Sequence, residues 1–316
     1  LAECPFSGTL IGLCLDQQPW GKSQMSQWET IVAHTSSVLG ERLSLGPVRS
    51  VGGGCINAAY VLEAGQRRFF VKVNGAKELA MFEAEAEGLT ALGASDSIRV
   101  PQPLCYGVAG TDAYLVMEYL ALGGRGKAEH LGEALAAMHR SQQTRFGWHR
   151  DNTIGSTPQI NDWSADWPGF WRDRRLGAQL TLAAGNGAGT GLLRKGERLQ
   201  QNLAAFFSDY QPLASLLHGD LWSGNYAFDD SGRPVIFDPA VYYGDRETDL
   251  AMTELFGGFP SGFYAAYEAA WPLDVGYSVR KTLYNLYHIL NHFNLFGGGY
   301  LAQAEGMMDR LLSECR

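Results

Sequence analysis

Residues 216–225 read L-L-H-G-D-L-W-S-G-N, and V-I-F-D follows at 235–238. An apolar run ends at His218, a polar loop carries Asp220 and Asn225, and an apolar strand then delivers Asp238. Phosphoryl transfer needs groups of these kinds in one place. Asp220 suits a base that takes the proton of an acceptor hydroxyl. Asn225 and Asp238 offer hard oxygens to Mg²⁺, which keeps phosphate oxygens and waters around one or two carboxylates. His218 reads as an anchor of the loop rather than as a base. Asp249, after G-D-R-E-T, is placed to cap a helix and brace the same loop.

Upstream, the pattern predicts a helix over 26–43, from a Ser26–Glu29 capping box and Trp28, Ile31, Val32, Val38 and Leu39 at near-helical spacing. Three strands follow between Pro47 and Lys72. The first leads into Gly52-Gly53-Gly54, whose amides suit close approach to a phosphate; a glycine-rich hairpin is the alternative. In R-F-F-V-K-V, period two sets Phe69, Val71 and Val73 on one face and Phe70 and Lys72 on the other. A helix is predicted over 77–93, with Leu79, Phe82, Ala86 and Leu89 as its stripe. L-C-Y-G-V and A-Y-L-V-M-E-Y-L then form a hairpin of strands. Beyond Leu122-Gly123-Gly124 the pattern turns mostly helical, over 129–141, 162–184, 192–208, 248–257, 262–270 and 276–296, with strands only near 226–229 and 234–237. The Gly-rich stretch 185–191 reads as a mobile loop. The expected fold is α+β and two-lobed: a tail over 1–25, an N-terminal antiparallel sheet lobe with helices over 26–120, and a larger, mainly helical lobe over 121–316.

Composition narrows the function classes. With 46% hydrophobic and 18% charged residues, the chain of 316 residues has the make-up of an ordinary globular protein with room for two cores. Its apolar runs fall short of the roughly 20 residues needed to span a bilayer, so no membrane partner is expected. A net charge of −8 without a Lys/Arg cluster argues against nucleic acid. The five cysteines, at 4, 14, 55, 105 and 315, form no C-x-x-C pair, which points to a reducing, cytoplasmic compartment. The first 25 residues lack the basic start and apolar core of a signal peptide.

The order of base, amide and carboxylate resembles the protein-kinase template, H-R-D-x-x-x-x-N followed by D-F-G. Gly219 stands in place of its Arg, Pro239-Ala240 follow Asp238, and A-P-E is missing, so a kinase-like phosphotransferase outside the protein-kinase pattern is expected. The template implies further parts. Lys72 sits where such folds meet the α- and β-phosphates of ATP and pair with a helix glutamate; of Glu83, Glu85 and Glu87, Glu85 is the choice. Met117-Glu118-Tyr119-Leu120 falls where a hinge meets adenine, which makes Glu118 and Leu120 candidates through their backbones.

From about Val51 to Phe296 the chain also resembles the fructosamine kinase (ketosamine-3-kinase) family, within the aminoglycoside-phosphotransferase-like kinase fold. The resemblance rests on G-G-G-C-I-N, F-V-K-V-N, M-F-E-A-E, V-M-E-Y-L, P-Q-I-N-D-W, H-G-D-L-W-S-G-N, D-P-A-V-Y-Y-G-D-R-E, F-G-G-F-P and L-Y-H-I-L-N-H-F-N-L-F-G. It implies transfer of the ATP γ-phosphate to the 3-hydroxyl of a small-molecule or protein-bound ketosamine, whose unstable 3-phosphate then leaves and frees the amine. ATP and Mg²⁺ are the implied cofactors. Asp220 is the implied base, Asn225 and Asp238 the metal ligands, and Lys72 with Glu85 the phosphate clamp.

Trp222 suits stacking on a sugar face or a place in the core. His288, Asn291 and His292 are candidates to line a sugar-amine pocket or are satisfied core residues; H-x-x-x-H lacks a third ligand for zinc. Asp245 and Glu247 are further substrate candidates. Cys55, in the glycine loop, is either a thiol whose oxidation ties redox state to ATP binding or a small buried side chain. The same fold also serves kinases of aminoglycosides, choline or sugars, and a non-catalytic nucleotide-binding module is a third class. The complete set of chemistry-bearing residues argues against that module. The sequence separates neither fructosamine from ribulosamine nor monomer from homodimer.

Overall fold

The computed structural model describes residues 22–52 and 56–315. They fall into two compact units. The first takes the chain up to Ala94, then 99–126 and 227–237; the second takes 95–98, 127–226 and everything from Asp238 onward. This division differs from a single cut near 120 at residues 95–98, 121–126 and 227–237.

In the first unit, α1 (Lys22–Leu39) precedes β1 (Leu45–Val51), β2 (Ala58–Ala64) and β3 (Arg67–Gly75). A short 3₁₀ turn then leads into α2 (Leu79–Ala94), followed by β4 (Pro103–Ala109) and β5 (Asp112–Glu118). The strands form one antiparallel sheet in the order β1-β2-β3-β5-β4. Alternation in β3 puts Phe69, Val71 and Val73 into a core with Trp28, Ile31 and Val32 of α1. Lys72 points to the other face, where α2 buries Phe82, Ala86, Leu89 and Leu92. Helix α1 begins before the expected capping box and ends before residue 43, so Ser26 lies inside it and its carbonyl accepts from the Thr30 hydroxyl.

A hairpin of β10 (Tyr226–Phe228) and β11 (Pro234–Ile236) returns to this unit through backbone hydrogen bonds. The amides of Gly123 and Gly124 donate to the Phe228 carbonyl at 3.0 and 3.1 Å, and that of Ile236 to Arg99 at 3.0 Å. At Gly124 a Cβ would lie 1.9 Å from the Asp229 carbonyl oxygen, so only glycine permits the approach. The glycines that read as a boundary are thus a docking strip inside the first unit.

The second unit begins with α3 (Ala128–His139), β6 (Gln142–Gln143), β7 (Asn152–Ile154) and β8 (Thr157–Gln159). Helix α4 (Trp167–Phe170) runs through a π-helical turn, Trp171–Gly177, into α5 (Ala178–Gly185). It starts later than the expected 162 because the Asp166 carboxylate caps it, accepting from the Gly169 amide at 3.0 Å. Helix α6 (Thr190–Asn202), β9 (Ala214–Leu217) and β12 (Tyr242–Gly244) follow, and β12, β9 and β6 pair in that order. Four helices complete the unit: α7 (Glu247–Leu255), α8 (Ser261–Ala270), α9 (Tyr277–Phe296) and α10 (Tyr300–Glu314). Helix α9 is the core element, burying Leu283, Tyr284, Leu286, Tyr287, Ile289 and Leu290. Among the described residues no helix is long and apolar enough to cross a membrane.

Candidate active site

Strand β9 leads directly into the loop at 218–225. The amides of His218 and Gly219 donate to the two oxygens of Asp249 at 2.7 and 2.8 Å. His139 Nε2 meets the same carboxylate at 3.2 Å, and its Nδ1 lies 2.8 Å from the Tyr267 hydroxyl. Burial alone would raise this carboxyl, but the His139 hydrogen bond, the neighbouring His218 and the Gly219 amide hold it below its ordinary range. Asp249 therefore does not begin or cap α7, which starts at Glu247; it is the peg on which the loop hangs.

Gly219 has φ +83°, and a Cβ there would lie 2.1 Å from the Ala240 carbonyl oxygen. A side chain at this position collides with the segment after Asp238. Gly219→Ala is accordingly expected to lower stability by about 1–3 kcal/mol, the range for a strained backbone, and to misplace Asp220. Thermal unfolding together with turnover checks this; a variant equal to wild type in both would refute it.

Within the loop, Asn225 Nδ2 donates to the Asp220 carbonyl at 2.8 Å and approaches its carboxylate at 3.4 Å and the Asp238 carbonyl at 3.5 Å. The half-buried Asp220 carboxyl is pushed up to about 7, first by burial and then by the charges of Asp238 and Asp249, against the Asn225 hydrogen bond. Asp238 is exposed and sits at φ +58°, a conformation uncommon for non-glycine residues although Asp enters it more readily than most. The donor set fits a divalent cation. The Asn225 nitrogen is committed to the loop backbone, so its oxygen is the atom that would face a cation, and the carboxylates crowd negative charge that a cation would relieve. Two hard ligands call for phosphate oxygens and water to complete the shell.

One wall of aromatic rings adjoins the loop in the second unit. Trp222 packs edge-on to Phe256 with centroids 6.4 Å apart, and Phe256 meets His292 at 4.8 Å. His292 in turn contacts Phe296 at 5.7 Å and Tyr300 at 5.2 Å, and its Nδ1 lies 2.8 Å from the His288 carbonyl. Sequence reasoning did not single out Phe256, Phe296 or Tyr300, although F-G-G-F-P and the end of the late helix contain the first two.

Other substrate candidates belong to the core. Burial holds His288 neutral, lowering it to about 3. The buried Asn291 accepts from Gln179 at 3.2 Å and donates to the Ile154 carbonyl at 3.3 Å. Asp245 and Glu247 are sealed off at 0% exposure. Tyr210 and Tyr284 donate to Asp245 at 2.9 and 2.5 Å, and Arg280 grips Glu247 with two bonds of 2.8 and 2.9 Å. A substrate has no surface of these two carboxylates to touch, so the contact expected of them is corrected to a structural role.

In the first unit, Lys72 Nζ meets Glu85 Oε1 at 2.5 Å, with both side chains buried. The Glu118 carboxylate pairs with Arg99 at 2.5 Å, and its amide donates to the Gln102 carbonyl at 2.8 Å. That N–H is therefore already engaged within the first unit. Leu120 is half-buried just beyond β5, and Gly52 is exposed at the end of β1. The expectations placed on Gly53, Gly54 and Cys55 lie outside the described residues.

An antiparallel sheet unit with a buried Lys–Glu pair, and a helical unit that brings together the carboxylate of Asp220, the amide of Asn225 and Asp238, fit a kinase-like phosphotransferase with an alcohol acceptor. The chain belongs to the fructosamine kinase family, whose family model matches residues 27–314. It is 49% identical to a probable ketoamine kinase of Synechocystis over 90% of this chain and 97% of that one. It is 46% identical to a chloroplastic protein-ribulosamine 3-kinase of Arabidopsis thaliana over 86% of this chain and 85% of that one. A crystal structure assigned as a fructosamine-3-kinase from Haemophilus somnus superposes with a TM-score of 0.85 at 28% identity, covering 92% of this chain and all of that one (100%). A more distant aminoglycoside phosphotransferase, solved with AMP-PNP and hygromycin B, shares the fold alone, with a TM-score of 0.62 at 16% identity over 90% of this chain and 98% of that one.

Proposed function

We propose that the protein transfers the γ-phosphate of ATP to the 3-hydroxyl of a ketosamine, either free or attached to a protein. The observation that carries this reading is the loop hung on Asp249. It holds a carboxylate raised toward neutrality, Asp220, beside two hard oxygen ligands. Asp220 accepts the proton of the attacking hydroxyl. Asn225 Oδ1 and the Asp238 carboxylate are the groups that would hold Mg²⁺, which when bound neutralises charge on the phosphates. Lys72, fixed by Glu85, serves the α- and β-phosphates. Trp222, Phe256 and His292 offer aromatic surface to the sugar face. The product, a ketosamine 3-phosphate, is unstable and releases the amine without further help from the protein, so the reaction ends in deglycation. The names of the ketoamine and ribulosamine kinase relatives support this acceptor class. The AMP-PNP complex of the distant neighbour supports the nucleotide.

Incubation with Mg-ATP and, separately, fructoselysine, ribuloselysine, an aminoglycoside or choline tests this, with products followed by phosphorus NMR. A new phosphomonoester signal is expected with the ketosamines, followed by its decay. Turnover of the aminoglycoside or choline with neither ketosamine consumed would overturn the reading.

A further inference from the structure

Behind the loop that carries Asp238 lies a buried set of amides that takes no part in the chemistry above. Gln159 Nε2 donates to the Ala240 carbonyl at 3.1 Å, and Asn152 Nδ2 donates to the Val241 carbonyl at 2.8 Å. Asn152 Oδ1 accepts from Gln159 at 2.8 Å and from Asn161 at 2.9 Å, while Asn161 Oδ1 accepts from Arg175 Nη2 at 2.7 Å. From α9, the Tyr287 hydroxyl donates to Gln159 Oε1 at 2.9 Å. Gln159, Asn161 and Arg175 are buried, and the Arg175 guanidinium lies 4.1 Å from the Tyr242 ring centroid.

Every amide in this set has one possible orientation. A guanidinium only donates, so Asn161 must turn its oxygen to Arg175 and its nitrogen to Asn152. The Asn152 oxygen is then occupied, and its nitrogen must face Val241. A directed row of donors thus runs from Arg175 to the Val241 carbonyl, and Gln159 adds a second donor to Ala240. These carbonyls belong to the second and third residues after Asp238, whose φ is +58°. Apart from Arg175 Nε, the polar groups named here are paired, and a buried network so connected is rigid.

We propose that Gln159, with Asn152 and Tyr287, is a positioning device for Asp238, tying the cation-side loop to α9, the helix whose His292 joins the aromatic wall. The proposal rests on the reading that Asp238 holds the divalent cation. It gives P-Q-I-N a task that the reaction chemistry leaves unassigned. Partners one step behind a metal ligand typically change metal affinity by about 10–100-fold when removed.

The test measures Mn²⁺ affinity by electron paramagnetic resonance on the full chain with a non-hydrolysable ATP analogue. It compares wild type with Asp238→Ala, Gln159→Leu, Gln159→Glu and Tyr287→Phe. Thermal melts and the ketosamine KM are recorded alongside. Gln159→Leu is expected to weaken Mn²⁺ binding by about 10–100-fold with the ketosamine KM unchanged. Gln159→Glu should behave like it, since a carboxylate can accept from Tyr287 but offers no N–H to Ala240. Tyr287→Phe should shift Mn²⁺ affinity the same way by less, and it carries the test if the Gln159 variants do not fold. A purely structural network would lower the melting temperature and leave Mn²⁺ affinity at the wild-type value in the folded variants, which overturns the proposal. If Asp238→Ala itself binds Mn²⁺ as wild type does, the assignment of Asp238 as the cation ligand falls, and this inference with it.

Discussion

Asp220→Asn leaves the fold intact and lowers turnover by about 10²–10⁴, the contribution of a positioned base. The amide preserves shape but cannot take the hydroxyl proton. Burial and the charges of Asp238 and Asp249 all work against an ionised Asp220. Removing that charge relieves repulsion, so the melting temperature of the variant should match or exceed that of wild type. The pH dependence has a definite sign. A base works deprotonated, so wild-type kcat/KM falls as pH drops through the Asp220 pKa. That acid limb lies at or below about pH 7, because a cation that neutralises Asp238 withdraws the second-largest cause of the shift. Steady-state kinetics across pH, paired with thermal unfolding, check both parts. Near-normal turnover in Asp220→Asn would remove this residue from the base role.

Arg280→Met is expected to destabilise the protein by about 3–5 kcal/mol, the cost of stripping one partner from a buried ion pair. Arg280 makes two bonds to Glu247, a third to Asp274 at 2.7 Å, and lies 3.9 Å from the Tyr210 ring centroid. Without it, Glu247 is left buried beside Asp245 with no ion-pair partner and only the field of Arg246 against it. Burial, with Asp245 adding to it, already pushes Glu247 up to about 7 against the pull of Arg280, and losing Arg280 pushes it further. An acid whose folded pKa is raised contributes most at low pH and loses that contribution as pH rises through the folded value. The deficit of Arg280→Met should therefore be larger at pH 8 than at pH 5. Urea unfolding at the two pH values measures it. A loss under about 1 kcal/mol, the range of a surface pair, would show that the cluster is not the structural core claimed for it.

These two experiments mark where the sequence was legible and where it was not. Phe69, Val71 and Val73 announce β3 because alternation is a property of adjacent residues, and Lys72 follows on the opposite face. Strands of two to four residues, such as β6, β9 and β12, are too short to show a period. Helix α10 escaped notice although Ala304, Met308 and Leu311 share its buried face, with Gly306 weakening the pattern between them. G-D-R-E-T-D at 244–249 shows the limit for the site, since it sets three carboxylates within one short stretch. Nothing local ranks them. Helix α7 starts at Glu247, and the fold then turns Asp245 and Glu247 into the core and Asp249 to the loop.

By itself the sequence determined the class of reaction and the sheet of the first unit. The order of Asp220, Asn225 and Asp238 and the pattern of β3 are both carried by residues near one another in the chain. Only the tertiary structure decided which carboxylates and amides are structural. A buried polar group is defined by the partner that satisfies it, and that partner comes from elsewhere: His139 for Asp249, Arg280 for Glu247 and Tyr287 for Gln159.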